Sequence, residues 1–370
     1  MAVNPFKYGC IVGGENYCRR QALQRQLQEL LKSGQNVVIQ GARRMGKTSL
    51  VCETVKSLRG CKLVYVDFFC VKSEGDFCRR VVSAVLKCGD GRSFLEKVGG
   101  LVKSLRPVFT VDKDSGAPTL SIDVKAAKGV ESVEEVVEMI AQLSKTLKLC
   151  VIFDEFQDVA DIPDADVILA ALRSRIQFLD EVPFVFLGSV RNRMHAIFDS
   201  PKSPFFKSAI SFGVEAIDET DLAAFVVARF KAGNRIIDMD GARRMIQMAD
   251  GISGDVQELG EAIWLSTADG ATLKPTDLDK GLEMVFARES RAFGMAVSRL
   301  TAMQLSVLKG LARSPQAKVF SAEFMQENEL RSVGGLTKAL KRLVADELIY
   351  DYLGDYRFEN PFFREWVKRM

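Results

Sequence analysis

The fifteen residues Asn36–Leu50, NVVIQGARRMGKTSL, restrict what this chain can fold into more than any other stretch. Val37, Val38 and Ile39 read as a buried strand, Gly41 and Gly46 bracket a loop, and a helical pattern starts at Lys47. The spacing is G-x-x-x-x-G-K-S/T, satisfied by Gly41, Gly46, Lys47 and Thr48. Glycine lets the backbone curve until its N–H groups point into a concavity, and the helix behind it adds its positive end. Such a strand, loop and helix cradle nucleotide phosphates. The expected phosphate-binding residues are Gly41, Ala42, Arg43, Arg44, Met45, Gly46, Lys47, Thr48 and Ser49. Lys47 is placed to reach the β- and γ-phosphates and stabilise charge during transfer, while Thr48 offers a hydroxyl to Mg²⁺. The loop alone leaves GTP open, but no N-K-x-D guanine-reading tetrad is apparent, and ATP or ADP is the expected nucleotide.

A phosphate cradle needs an acidic partner to hold the metal, and KLCVIFDEFQDV supplies one. Leu149–Phe153 is an apolar strand, with Asp154 and Glu155 at its carboxyl end, the side of an open α/β sheet where ligands collect. Asp154 is the expected Mg²⁺ ligand beside Thr48, and Glu155 is placed to polarise the attacking water. Asp158 reads as a loop or cap residue. At the exit of the next strand, VPFVFLGS, Ser189 has two readings: a hydroxyl that senses the γ-phosphate or positions water, or a cap for the following helix. Arg191 and Arg193 read either as solvated charge or as contacts to phosphate or a neighbouring subunit.

Strand and helix patterns alternate around these motifs. Strands are expected at Val37–Gln40, Lys62–Phe69, Leu149–Asp154, Phe184–Gly188 and Ala209–Phe212, with helices at Tyr17–Lys32, from the phosphate loop into Leu58, and at Asp76–Leu86, Ser93–Leu105, Glu131–Leu147 and Ala165–Leu179. Val108–Val111 and Thr119–Val124 read as a hairpin. After Val214 the pattern is helical only: Thr220–Phe230, Gly241–Ala249, Val256–Thr267 and Leu278–Ser290. Then come Ala302–Arg313, Ser321–Asn328 and Val333–Ala345, a strand pair Leu348–Tyr352 and Tyr356–Phe358, and a last helix Pro361–Lys368. Three helices followed by a strand pair outline a winged helix, with Leu336, Leu340 and Leu343 on the buried face. The expected fold class is α/β: a P-loop NTPase core with a mostly parallel sheet (1–216), a helical lid domain (217–296) and a C-terminal winged helix (297–370).

Composition narrows the rest. A chain of 370 residues exceeds one ordinary core, in keeping with several domains. The formal net charge is only +3, so any nucleic-acid surface has to be local. The eight cysteines all precede residue 151, form no C-x-x-C pair and share the chain with one histidine, His195, which argues against zinc and for packing roles. No apolar run spans a bilayer and MAVNPFKYG lacks a signal-peptide core, so the expected location is cytoplasmic, with no membrane partner.

These residues resemble the archaeal-type ATPases of the STAND branch of AAA+ P-loop proteins. NPFKYGCIVGGENYCRRQALQRQL is similar to that family's N-terminal box, GARRMGKTSL to its Walker A and VIFDEFQDV to its Walker B. The resemblance implies that Val12, Gly13 and Tyr17 lie near the adenine, that Arg20 is the box arginine, and that Ser189 is at the sensor-1 place. SPFFKSAISF also fits, with Lys207 where relatives often carry an arginine. GISGDVQELGEAIW resembles the start of the family's lid helix, with Asp255 in the place of a proline, and the tail through NPFFREW resembles its winged helix. The resemblance implies slow turnover coupled to signalling or defence.

Winged helices read DNA or dock proteins, and both readings are open here. For DNA, the helix from Val333 would enter the major groove, with Lys338, Lys341 and Arg342 supplying charge and Arg331 and Ser332 as phosphate contacts. Against it, the strand pair carries Asp351 and Asp355, and the helix start lacks an Asn or Gln base reader. The leading expectation is a Mg²⁺-dependent ATPase switch with a protein partner, a monomer rather than a ring. The alternatives are an ATP-regulated DNA-binding protein and an ADP-holding scaffold with negligible turnover.

Overall fold

The computed structural model describes residues 3–89, 91–102, 105–111, 118–122, 130–189, 191–315, 317–352 and 354–370. The chain divides into two compact units, one of Arg19–Ala42 and Gly46–Glu215, the other of Met1–Cys18, Arg43–Met45 and Ala216–Met370.

The first unit is α/β. In chain order it contains α1 (Gln21–Lys32), β1 (Val37–Gln40), α2 (Lys47–Lys56), β2 (Lys62–Asp67), α3 (Glu74–Leu86), α4 (Arg92–Leu101), β3 (Pro107–Val111), β4 (Pro118–Ile122), α5 (Val130–Ser144), β5 (Leu149–Asp154), α6 (Ala165–Ile176), β6 (Phe184–Leu187), α7 (Arg191–Phe198) and β7 (Ile210–Gly213). Five strands form a parallel sheet in the order β2-β5-β6-β1-β7. The expected hairpin is present as β3 paired antiparallel with β4, in the register Pro107↔Ile122 to Val111↔Pro118. Its connecting residues 112–117, and 123–124 at its far end, lie outside the described residues.

Strands of a sheet covered on both faces read as continuous apolar runs, and β5 and β6 are buried at every position. Their phenylalanines join others in one aromatic core. Phe68 stacks on Phe77 at 4.7 Å, Phe156 meets Phe186 at 4.8 Å, and Phe205 closes on both Phe186 and Phe198 at 5.5 Å. Such ring pairs are worth about 0.5–1.5 kcal/mol each beyond their burial. Phe153 and Phe156 are both fully buried and stack at 5.9 Å, so the two acids between them in sequence are anchored on either side. Cys52, Cys78, Cys88 and Cys150 are buried as packing residues, and burial pushes the Cys52 thiol up to about 11.

The second unit holds α8 (Glu219–Ala232), α9 (Met239–Met248), α10 (Ser253–Leu265), α11 (Pro275–Ser298), α12 (Ala302–Arg313), α13 (Ala322–Glu327), α14 (Val333–Ala345), the antiparallel pair β8 (Ile349–Tyr352) and β9 (Asp355–Phe358), and α15 (Pro361–Lys368). Side-chain caps start most of these helices: Asp218 for α8, Asp238 for α9, Ser321 for α13, Ser332 for α14, Asn360 for α15, and a Thr301–Gln304 capping box for α12. Leu336, Leu340 and Leu343 are buried on α14, as their spacing requires. One core runs from Phe6 and Leu222 through Leu282 and Leu308 to Val367.

Several element boundaries differ from the sequence reading, most by a few residues. The first helix begins at Gln21 rather than Tyr17, because residues 14–16 close a separate 3-10 turn and Arg20 is not helical. The helix that one reading of Ser189 required is present as Arg191–Phe198, in a polar stretch, RNRMHAIF, with no clear apolar stripe. The helix expected over Leu278–Ser290 runs from Pro275 to Ser298, started by proline in its first turn and by the Asp277 carboxylate, which accepts the Lys274 N–H at 3.0 Å. No described helix is long and apolar enough to cross a membrane.

Candidate functional site

The strand order puts β6 between β5 and β1, so the loops leaving these three strands are neighbours at the carboxyl edge of the sheet. The phosphate loop leaves β1. Gly41 cannot be replaced there, because a Cβ would stand 2.7 Å from the Val214 carbonyl oxygen. Gly46 is left-handed, with φ 76°, and its carbonyl accepts the Leu50 N–H in the first turn of α2. Lys47 is buried, and its ammonium donates to the Gly41 and Ala42 carbonyls at 3.1 and 2.9 Å, drawing the loop round its own lysine. Ser49 is buried one turn along.

Asp154 ends β5. Its Oδ2 accepts the Thr48 hydroxyl at 2.8 Å and the Tyr65 hydroxyl at 2.8 Å, while its Oδ1 accepts the Glu155 N–H at 3.0 Å. Burial pushes the carboxyl up, against the pull of these three donors. A hydroxyl oxygen and a carboxylate oxygen meeting beside a phosphate loop are the hard donors Mg²⁺ takes, with phosphates and water completing its shell. Thr48 and Asp154 therefore fit the metal that the loop implies. Tyr65 was not singled out by sequence reasoning. It pairs with Ile152 across β2 and β5, so it shares a face with Asp154 two residues on, a relation visible only once those strands are known to be neighbours.

Glu155 has φ 48° and ψ 40°, a left-handed backbone uncommon for a residue with a side chain. Its Oε2 accepts the Ser189 hydroxyl at 2.7 Å, the Ser189 N–H at 3.2 Å and the Gln157 carboxamide at 2.6 Å. Ser189 is thus joined to the acid pair through its hydroxyl. Asp158 accepts the Cys70 N–H at 2.8 Å and faces Arg193 at 3.4 Å. Arg193 also donates to the Gln157 carbonyl at 3.0 Å and pairs with Asp161 at 2.6 Å, so it is held within this unit. The Arg191 side chain lies outside the described residues.

The remaining predicted residues fall in several places. Arg20, nearly buried, donates to the Glu215 carbonyl at 2.9 Å in the α/β unit. Val12, Gly13 and Tyr17 belong to the other unit, where Tyr17 is buried. The loop residues Arg43, Arg44 and Met45 group with that unit as well. There the Arg43 guanidinium meets Glu347 at 3.1 Å, and Arg44 pairs with Asp255 and, at 2.5 Å, with Glu258. The Arg44 carbonyl accepts the Gly254 N–H at 2.9 Å. Burial pushes Asp255 up to about 7; Arg44 opposes that shift, and Glu258 and Asp250 add to it. The position that departs from proline in the family resemblance is therefore a buried acid answering a loop arginine. On α14, the Ser332 hydroxyl accepts the Gly335 N–H as a cap, and Arg342 pairs with Asp346 at 2.9 Å. Arg331, Lys338 and Lys341 are exposed.

Fold and site together define a P-loop NTPase core in a chain that ends in a winged helix. Residues 291–369 match a family model described as "probable winged helix domain". No curated protein matches the chain. Among solved structures, the chain is similar to the Walker-type ATPase PABY2304 of Pyrococcus abyssi, with TM-score 0.65 and 17% identity over 96% of this chain and 97% of that one. It is also similar to the Aeropyrum pernix ORC2 protein in its ADPNP-ADP complexes, with TM-score 0.54 and 16% identity over 94% of this chain and 91% of that one. The Aeropyrum pernix ORC1 protein in complex with DNA gives TM-score 0.51 and 14% identity over 95% and 92%. At these identities the likeness is one of fold.

Proposed function

We propose that this protein binds ATP with Mg²⁺ and hydrolyses it slowly, as a conformational switch of the STAND type acting in signalling or defence. The observation that carries the reading is the meeting of the Thr48 hydroxyl with the Asp154 carboxylate at 2.8 Å, beside the buried Lys47 of the phosphate loop. In this reading Thr48 and Asp154 would hold Mg²⁺, which would supply charge neutralisation at the phosphates, and Lys47 stabilises the transferring group. A water oriented by Glu155 attacks the γ-phosphorus in line. The bond from that phosphorus to the bridging oxygen breaks, the water's proton passes to Glu155, and ADP and phosphate leave. ADP and ADPNP in the Aeropyrum pernix ORC2 structure support an adenine nucleotide. The loop residues Gly41–Ser49 bind its phosphates, Val12, Gly13 and Tyr17 its base, and Ser189 senses the γ-phosphate. The proposed organisation is a core at 1–216, a lid at 217–296 and a winged helix at 297–370, working as a cytoplasmic monomer with a protein partner. Mass spectrometry of the protein as purified tests this directly: bound ADP or ATP supports it, and failure of the protein to retain or bind either nucleotide with Mg²⁺ rejects it.

A second reading, ATP-regulated DNA binding, draws on Lys338 and Lys341, which are exposed and form no ion pair among the described residues. The DNA complex of the similar Aeropyrum pernix ORC1 protein supports it too. Salt-dependent retention on duplex DNA decides between the two readings.

A further inference from the structure

The carboxyl edge of the parallel sheet carries the phosphate loop and the acid pair. Its amino edge carries a concentration of lysines that the nucleotide chemistry does not use. Lys62 opens β2, Lys148 immediately precedes β5, Lys87 caps the end of α3, Lys145 follows the end of α5, and Lys97 lies on α4. Short bonds within the α/β unit bring these elements together. The Lys62 N–H donates to the Lys148 carbonyl at 2.7 Å, and the Lys97 ammonium donates to the Thr146 hydroxyl at 3.1 Å. The Cys88 thiol, one residue beyond Lys87, donates to the Leu63 carbonyl at 3.4 Å. Burial pushes the Cys61 and Cys88 thiols up, and the nearby ammonium groups of Lys148 and Lys62 draw them back in turn. All five lysines are exposed. None belongs to an ion pair among the described residues, whereas the neighbouring Lys56 and Arg92 are paired with Glu53 and Glu96.

Helix ends explain only part of this charge. A helix C-terminus carries about half a negative charge, so α3 and α5 together offset about one of the positive charges. Like charges gathered on one edge repel, and an anion that meets them relieves the repulsion. The borders of the cluster decide what kind of anion fits. The turn leading into β6, the strand next to β5, carries exposed Asp180 and Glu181. Neighbouring strands are about 4.8 Å apart, whereas the major groove of a duplex alone is about 12 Å wide, so a duplex laid on the lysines also meets these acids. An anionic bilayer meets them too, and the exposed Phe178 that would enter it stands two residues from Asp180. A short acidic segment ends where the lysines end.

We propose that the amino edge of the sheet, through Lys62, Lys87, Lys97, Lys145 and Lys148, docks a short acidic segment of a protein partner. This surface rests on the proposed switch only for the existence of a protein partner. The six residues of β5 span roughly 20 Å at about 3.3 Å each, against a screening length of about 8 Å at physiological salt. Partner and nucleotide therefore occupy opposite edges without competing through their charges.

The test uses the full chain and a dye-labelled hexaglutamate peptide, titrated by anisotropy at about 50 mM salt beside a DNA duplex of about 20 bp and phosphatidylserine vesicles. The expected result is hexaglutamate binding that weakens as salt rises. Lys62→Glu combined with Lys148→Glu is expected to weaken it by about tenfold, with ATP affinity and thermal melting unchanged. Lys87→Glu combined with Lys145→Glu carries the same expectation should the first variant fail to fold. No binding of hexaglutamate by the wild-type chain, or equal binding by a folded variant, overturns the proposal. So does tighter binding of duplex or vesicles that the same variants lose. ATP affinity is read separately throughout: a negative peptide result leaves the phosphate-loop reading standing, and a wild-type chain that binds hexaglutamate but no ATP rejects that reading alone.

Discussion

The acid pair at the end of β5 and the basic face of α14 both present polar side chains, yet they are built on opposite principles. Around Asp154 and Glu155, each carboxylate accepts short hydrogen bonds from hydroxyl or amide donors, inside a frame of buried phenylalanines. On α14, Lys338 and Lys341 stand in solvent, and Arg342 has one exposed partner, Asp346. In a low-dielectric, fully connected network each member sets the position of the next, so one substitution changes the chemistry. Exposed ionic groups are screened and individually worth little. The contrast therefore predicts where single substitutions have large consequences and where they do not.

The sharpest way to break the first region is Lys47→Ala. It removes the buried ammonium that closes the loop and is expected to lower ATP affinity by at least about 100-fold, read by calorimetry or fluorescent-nucleotide titration. Binding within threefold of wild type rejects the loop as the phosphate site. Glu155→Gln comes next. It keeps side-chain size and is expected to leave ATP affinity intact while lowering kcat by roughly 10²–10³, as removal of a general base does. ATP hydrolysis at the wild-type rate sinks the proposed mechanism.

How far this site was legible follows from what kind of signal each residue leaves. Gly41, Gly46, Lys47 and Thr48 are fixed by local geometry, and Asp154 and Glu155 by the end of a continuous apolar run, so both motifs are read from contiguous sequence. Their adjacency is not local. It depends on β6 lying between β5 and β1, an order no segment encodes alone. Tyr65 and Gln157 were missed for the same reason: one acts across two strands, the other through a slot that Gly188 leaves in a third. In the second unit the helices were legible from period and caps. The role of Asp255 was not, because its partner Arg44 lies more than two hundred residues earlier in the chain.

That buried acid gives an effect of intermediate size. In the folded chain Asp255 titrates at about 7 instead of the ordinary 3.8, chiefly because it is buried. Between those values the native state binds the proton and the unfolded chain does not, so this group makes stability fall as pH rises from about 4 to 7. Asp255→Asn removes the titration. The variant is expected to match wild type below about pH 4 and to exceed it at pH 8 by on the order of 2 kcal/mol, allowing for the lost Arg44 pair. Denaturant melts at the two pH values check this, and a wild-type advantage that grows with pH shows that the ion pair outweighs the burial of charge.

The smallest effect is expected on the basic face. At the end of α14, Asp346 and Glu347 pair with Arg342 and Arg43, and the strand pair adds exposed Asp351 and Asp355. Like charge toward phosphate offsets what the two lysines gain. Lys338→Gln combined with Lys341→Gln is therefore expected to leave ATP turnover unchanged and to alter duplex retention by less than about twofold at moderate salt. The alternative leaves a distinct mark. If both lysines touch phosphate, the slope of log affinity against log salt falls by about 2 when they are removed, independently of DNA sequence. A slope change of that size assigns the winged helix to DNA. Its absence leaves α14 as a surface whose exposed Val333 and two lysines suit a protein partner.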